Sequence, residues 1–450
     1  MSDCRYIYLH LPFANKHCPT CINSHGESSR LSSNMGSGGS KKKQDSNHLI
    51  KTCTDHSGGV NCLSLSGDGS LLITGSEDRT ARLWSTRTHE CVGVLTGHAD
   101  YITSVSFVDN YAVTSSADKT IRKWDLNSCD CVLVFTGHSS PVNRVTAAGG
   151  LLFTSSYDRT ARCWQFDSGE CVQVFLGHKR GITPIIFVSP GGDNSPKAQH
   201  ETVDASKDLV LTGSLDSTAK AWSLDGKCRT TFKGHKMAIL SMAVDRQGKT
   251  LFTGSHDANV MAWTIDTGEA LRTFEGHQGG IICIEISNKL MYTGSSDHTA
   301  KCWVVDFGDR TREYKGQKHT VSSMAFHEGV LFTGSGDACA RAFDAKSGAL
   351  KRTYRGHEYI INAVAVVDGK LFTASHDGTL KVWNAENLVA EDWGKPKKDE
   401  EDKENAKRKN SNIDQQSYRS RPSTGLSEYD RRSREKIEQE RKEREVMDMV

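Results

Sequence analysis

The chain has 450 residues, 36% of them apolar, and a formal net charge of +2. That length supports a large core plus appendages, the near-neutral balance calls for no nucleic-acid partner, and no run approaches the ~18 apolar residues of a membrane span. The N-terminus lacks the apolar stretch of a secretory signal, so the expected compartment is the cytoplasm.

Residues 1–47 do not share the repeating pattern of the central part of the chain and read as a disordered arm. Within them, RYIYLHLPFANKHCPTC is similar to the cluster-binding segment of radical-SAM coproporphyrinogen-oxidase-like enzymes, in which three cysteines hold an iron–sulfur cluster. Ala14 stands at the first of those positions. That leaves Cys18 and Cys21, which would need His17 or His25 to complete a zinc site, and no cofactor is expected. The run MGSGGSKKK, Met35 to Lys43, fits an N-myristoylation pattern if translation starts at Met35. Gly36 would then be the acceptor, and Lys41 to Lys43 would supply the second signal for peripheral membrane association.

From residue 48 to 390 one unit recurs. LLITGSEDRTARLWS, Leu71 to Ser85, returns as AVTSSADKTIRKWD, LFTSSYDRTARCWQ, VLTGSLDSTAKAWS, LFTGSHDANVMAWT, MYTGSSDHTAKCWV, LFTGSGDACARAFD and LFTASHDGTLKVWN. A threonine lies four residues before each aspartate and an aromatic six after it, at a period of 40 or 41 residues broken once by an insertion. Self-similarity at this period marks a repeat architecture. The β-rich run before the aspartate reads as one strand and the alternation after it as another, so the aspartate sits in a hairpin turn. A Gly-His or Asp-His pair precedes most units and opens a further alternating strand, and a fourth strand leads to the next pair.

In these motifs the chain resembles the WD-repeat β-propeller family. The resemblance implies an all-β fold: a single eight-bladed propeller closed by an N-terminal strand, with strands a to d in each blade. It also implies a four-member hydrogen-bonded set in each blade. These sets are His56, Thr74, Asp78 and Trp84; His98, Thr114, Asp118 and Trp124; His138, Thr154, Asp158 and Trp164; and His178, Thr212, Asp216 and Trp222. They continue as His235, Thr253, Asp257 and Trp263; His277, Thr293, Asp297 and Trp303; and His357, Thr373, Asp377 and Trp383. In the seventh repeat Gln317 replaces histidine and Phe343 replaces tryptophan, so that blade is expected to be the loosest, with His319 a partial substitute.

Residues 189–208 fall between strands a and b of the fourth repeat and read as a flexible loop on the bottom face. The segment HLIKTCT, His48 to Thr54, aligns with the d strands, and the eighth repeat lacks one of its own, so the two ends are expected to pair. Cys91, Cys131 and Cys171 occupy one place in three successive repeats and read as small buried hydrophobes in a reducing compartment. On the top face, residues outside the bonded sets are candidates for contact with a partner: Tyr101, Tyr157, Arg180, Leu215, Met237, His256, Tyr359 and His376.

Residues 391–450 are rich in both charges and poor in apolar residues, so they are expected to be disordered, with i,i+4 ion pairs supporting a solvated helix over 428–447. Lys397-Lys398 and Lys407-Arg408-Lys409 are spaced like a nuclear import signal. Threonine, histidine and aspartate together invite a catalytic reading. Catalysis needs such a set once, in a cleft, whereas here it is repeated, so no enzyme is expected. The functional expectation is a scaffold or adaptor that binds proteins or peptides through the top face. The alternative is a substrate receptor of a cullin-type ubiquitin ligase. No F-box is recognisable, and Ser85 in Trp84-Ser85-Thr86-Arg87 replaces the aspartate of the element that docks propellers on the cullin-4 adaptor.

Overall fold

The computed structural model describes residues 48–194 and 203–388. Cys18, Cys21, Gly36, the arm 1–47, the tail from 389 with its expected helix, and the basic clusters of that tail lie outside the described residues. The described chain forms 32 strands, β1 to β32, arranged in eight four-stranded antiparallel sheets. The first blade is typical: β2 (Val60–Leu65), β3 (Leu71–Ser76), β4 (Ala81–Ser85) and β5 (Cys91–Leu95) pair in that order as strands a to d. Strand b is buried from Leu72 to Ser76, whereas strand d alternates between half-buried and exposed residues before Leu95.

Seven blades are built from consecutive strands, and the eighth is closed from the other end of the chain. There β1 (Leu49–Cys53) pairs antiparallel with β32 (Leu380–Asn384), with Cys53 opposite Leu380 and Lys51 opposite Val382. The eight-bladed ring is thus complete, and β32 has no free edge. In the fourth blade strand a ends at Val188 and strand b begins at Leu209.

The core lies between blades. One cluster joins Val113, Ile121 and Phe135 of the second blade to Val142, Leu152 and Trp164 of the third. Another joins Cys53, Phe372 and Leu380 of the eighth to Val60, Leu72 and Trp84 of the first. Polar side chains on the inner strands add a second connection. Asn61 donates to Ile102 O (3.1 Å), Thr103 to Val142 O (2.6 Å), Asn143 to Ile182 O (2.5 Å) and Thr183 to Ile239 O (3.0 Å). Ser241 donates to Ile281 O (3.1 Å), Ser322 to Ile361 O, and Asn362 to Val60 O (2.8 Å), which returns the ring to its start. The joint between the sixth and seventh blades differs, because buried Ile282 stands at the clasp position. There the Phe326 N–H donates to the Glu285 carboxylate at 3.0 and 3.1 Å, and burial pushes that carboxyl up to about 7.

Because closure runs through five residues, removing residues 1–53 should destabilise the ring as a whole and not only the eighth blade. Thermal unfolding of the truncated chain is expected to remain a single transition, at a melting temperature lower by several degrees. An unchanged melting temperature would show that β1 does not close the ring.

Candidate functional site

The d–a loops and b–c turns lie on one face, here called the top. In every blade the residue just before the turn aspartate donates its N–H to a carbonyl of the d–a loop, as in Ala117 to Tyr101 (3.0 Å) and His376 to Ile360 (3.0 Å). The residue just after the aspartate takes a positive φ in all eight turns, from Arg79 (70°) to Gly378 (80°). Seven of these residues are not glycine, so the turn conformation is imposed by the bonds around the aspartate.

Those bonds run to its neighbours on both sides. In seven blades His Nδ1 lies 2.6–3.0 Å from the aspartate Oδ2 and His Nε2 lies 2.7–2.8 Å from the threonine Oγ1. The indole Nε1–H donates to that same oxygen at 2.8–2.9 Å. An indole can only donate, so the threonine oxygen accepts from it and directs its own proton to Nε2. The imidazole is then neutral, with its proton on Nδ1 facing the carboxylate. Burial also lowers the His277 pKa, which favours the same neutral form.

Six of these histidines follow a glycine, His56 following Asp55 instead, and the glycine has a steric cause. A Cβ on Gly97 would lie 3.4 Å from the Trp124 indole, and one on Gly137 3.1 Å from that of Trp164, at φ values of 151° and 154°.

A further partner was not evident from the sequence. The threonine two residues after the aspartate (Thr80, Thr120, Thr160, Thr218, Thr299 and Thr379) donates its hydroxyl to Oδ1 at 2.6–2.7 Å. Its presence in six repeats is the signal that would have pointed to it. The backbone N–H following the histidine, as in Lys179 to Asp216 (2.7 Å), satisfies the other oxygen. Burial alone would raise these carboxyls, but the bonds from histidine, hydroxyl and backbone outweigh it and hold Asp78, Asp118, Asp158, Asp216, Asp257, Asp297 and Asp377 below the ordinary carboxylate range. The threonine hydroxyls at the centre of the sets are fully buried and engaged on both sides, so no substrate reaches them.

The seventh blade corrects the expectation for His319. His319 does not stand in for the missing histidine: it is exposed and stacks on His298 at 5.7 Å, while Gln317 itself donates to Thr333 (3.2 Å). The aspartate is held instead by Arg341, whose guanidinium donates to both oxygens of Asp337 at 3.1 and 2.7 Å. Phe343 is fully buried, so the blade keeps its aromatic core, and a bidentate ion pair replaces the histidine bond. Burial raises the Asp337 carboxyl, and Arg341 outweighs it and lowers it below the usual range.

The eight surface candidates do not form one class. Arg180 and His376 are exposed, as are Met237 (43%) and Tyr359 (59%), whereas Tyr101 and Leu215 are half-buried. Tyr157, His256 and His376 lean onto the next blade, over Gly181, Gly280 and Gly59, where an added Cβ would approach the ring within 2.4–2.8 Å. Their rings therefore help to pack adjacent blades, and the glycine three residues after the next histidine was the available sign. Cys91, Cys131 and Cys171 are half-buried, not buried, each beside an arginine Nη1 at 3.6–3.9 Å. Every described cysteine is free, and burial pushes the Cys62 and Cys283 thiols up to about 12. Among the described residues no group of three or more His, Cys, Asp or Glu is placed to hold a metal ion, and no helix is long and apolar enough to cross a membrane.

The depressed carboxyls stabilise the fold above the unfolded-chain pKa of about 4, and this contribution is lost progressively as pH falls from that value towards their lower folded-state pKa. The melting temperature should therefore drop on acidification from pH 7 to below pH 4, with the same sign from protonation of His277. At neutral pH, Arg341→Met leaves the nearly buried Asp337 carboxylate without its cation and should cost about 3–5 kcal/mol by urea unfolding. A loss below about 1 kcal/mol, the worth of a surface ion pair, would contradict this role.

Comparison with known proteins agrees with this geometry. The model of the WD domain, G-beta repeat, matches residues 47–85, 89–125, 129–165, 226–264, 268–304 and 348–384, just over half of the chain. It passes over strands a to c of the fourth blade, which carries the insertion, and of the seventh, where Gln317 and Phe343 depart from the pattern. The chain is 57% identical over 219 residues to human WD repeat-containing protein 86, a match covering 48% of this chain and 56% of that protein, so it spans only about half of that relative's length. It is 39% identical over 71 residues to cell division control protein 4 of Candida albicans, across 15% of this chain and 10% of that one. The crystal structure of the computationally designed Ika8 protein superposes with a TM-score of 0.66 at 23% identity, over 75% of this chain and 99% of that one, a likeness of fold alone. With eight closed four-stranded blades, a polar set built on the turn aspartate in each, and the repeat model matched along the ring, the chain belongs to the WD-repeat β-propeller family.

Proposed function

We propose that the protein is a non-catalytic scaffold or adaptor that binds proteins or peptides through the top face of the propeller. Propellers of this family are generally non-catalytic and typically bind other proteins. The observation that carries the reading is the division of labour on this face. The histidines, threonines and aspartates are spent on one another in seven of the blades, while Arg180, Met237 and Tyr359 stand exposed on loops fixed from beneath. Large side chains on a rigid support lose little freedom on binding, and Tyr and Arg dominate the energetics of protein interfaces. The cytoplasm is the proposed site of action.

Replacing Met237 and Tyr359 together by alanine removes two exposed anchors and leaves the bonded sets intact. Proteins captured from cells by the tagged wild-type chain should be depleted about tenfold or more by the double variant, at an unchanged melting temperature. The opposite-face variant Asp266→Asn/Glu269→Gln should leave capture as it was. Equal capture by wild type and the top-face variant would contradict binding through this face.

A further inference from the structure

Charge is distributed unevenly on the top face. In the third to fifth blades the loops and turns present Arg159, Lys179, Arg180 and Lys236, all exposed. Apart from the turn aspartates, already held within their sets, no acidic residue occurs at 136–141, 157–160, 176–181, 215–217, 234–238 or 256–259. None of the four cations forms an ion pair among the described residues. Four cations on the opposite face are paired: Lys207 with Asp204 (3.7 Å), Lys227 with Asp225 (2.7 Å), Arg246 with Asp193 (3.1 Å) and Lys289 with Asp306 (3.9 Å). The turn carboxylates Asp158, Asp216 and Asp257 are enclosed within their sets, so the charge this sector exposes to a ligand is cationic and suits an anionic one.

The backbone beneath these cations is fixed. Lys179 N–H donates to Asp216 (2.7 Å), and Ser214 Oγ donates to Arg180 O (3.1 Å). Lys236 N–H donates to Asp257 (2.9 Å), and Ser255 Oγ donates to Met237 O (3.0 Å). Tyr157 lies against Gly181, which sets an aromatic surface beside Arg180, and Met237 adds an exposed apolar one next to Lys236. Cations interleaved with apolar side chains on preorganised loops suit a short chain that carries both carboxylates and side chains to bury. They suit a long polyanion less well. The other face of the disc exposes acidic residues such as Glu170, Asp266, Glu269 and Asp309, which repel one.

We infer that the sector of the top face formed by Arg159, Lys179, Arg180 and Lys236 is a docking site for an acidic peptide segment of a partner protein. The inference rests on the reading that the top face binds proteins, and it names the chemistry of the segment that is bound.

Fluorescence anisotropy of the full-length protein with labelled peptides of equal length, one alternating glutamate with glycine, one lysine with glycine and one glutamine with glycine, tests it. The glutamate peptide should bind and the other two should not. Lys179→Glu/Arg180→Glu should weaken its binding about tenfold or more at an unchanged melting temperature, while Lys318→Glu in the seventh blade should not. Raising the salt from about 50 to about 300 mM should weaken binding several-fold, because the Debye length shortens. Equal affinity for the three peptides, indifference to Lys179→Glu/Arg180→Glu, or tighter binding of single-stranded DNA than of the glutamate peptide would overturn the inference. If the glutamate peptide fails to bind while Met237→Ala/Tyr359→Ala still loses captured proteins, the acidic-segment inference falls and the protein-binding reading stands.

Discussion

A threonine hydroxyl buried between an indole and an imidazole is tolerable only if both of its bonds are made, since an unsatisfied polar group in that position costs ~1–3 kcal/mol. This constraint organises the ring. It fixes the tautomer of each histidine, because the indole leaves the threonine proton nowhere better to go than Nε2. The proton left on Nδ1 then meets the aspartate, and the aspartate, satisfied from the histidine, from its own turn and from the d–a loop, holds three chain segments together. The same logic separates this set from a catalytic one. A nucleophile must present its oxygen to a substrate, and these oxygens are enclosed by their own blade.

The seventh blade shows which part of the constraint is chemical and which is steric. Its aromatic position accepts phenylalanine because the packing needs a large ring, and Phe343 supplies one. Without an indole N–H the threonine no longer needs an imidazole to take its proton, and Gln317 donates to it instead. The aspartate still needs a partner, and Arg341 provides it from the strand that follows the turn. Other blades carry a basic residue at this place, such as Arg122 and Arg162, which lie over Trp124 and Trp164. The loss of the tryptophan therefore accompanies a different use of the arginine. The joint between the sixth and seventh blades is also the one that lacks the inner polar clasp, so two departures from the repeat meet at one place in the ring.

Much of the fold could be read from the sequence because its determinants repeat. The spacing of Thr74, Asp78 and Trp84, seen eight times over, identifies strands b and c and the turn between them, and the ends of the chain suggested how the ring closes. The top face was less legible. Tyr157, His256 and His376 read as contact residues because they are large and lie outside the bonded sets, yet each ring leans over a glycine of the following blade. That relation crosses from one repeat to the next, so no single repeat contains it. Arg341 was missed for a similar reason, since a basic residue at that position looks ordinary until the absence of its tryptophan is considered.

The central claim, that these polar sets are sealed packing devices in a disc that works through its surface, can be tested on the indole protons. Exchange of the Nε1–H groups of Trp84, Trp124, Trp164, Trp222, Trp263, Trp303 and Trp383 with deuterated water, followed by NMR, is predicted to proceed only by unfolding of the ring, so all seven signals should disappear slowly and at similar rates. Rapid loss of one or more of them under native conditions would show a set open to solvent and would contradict the account.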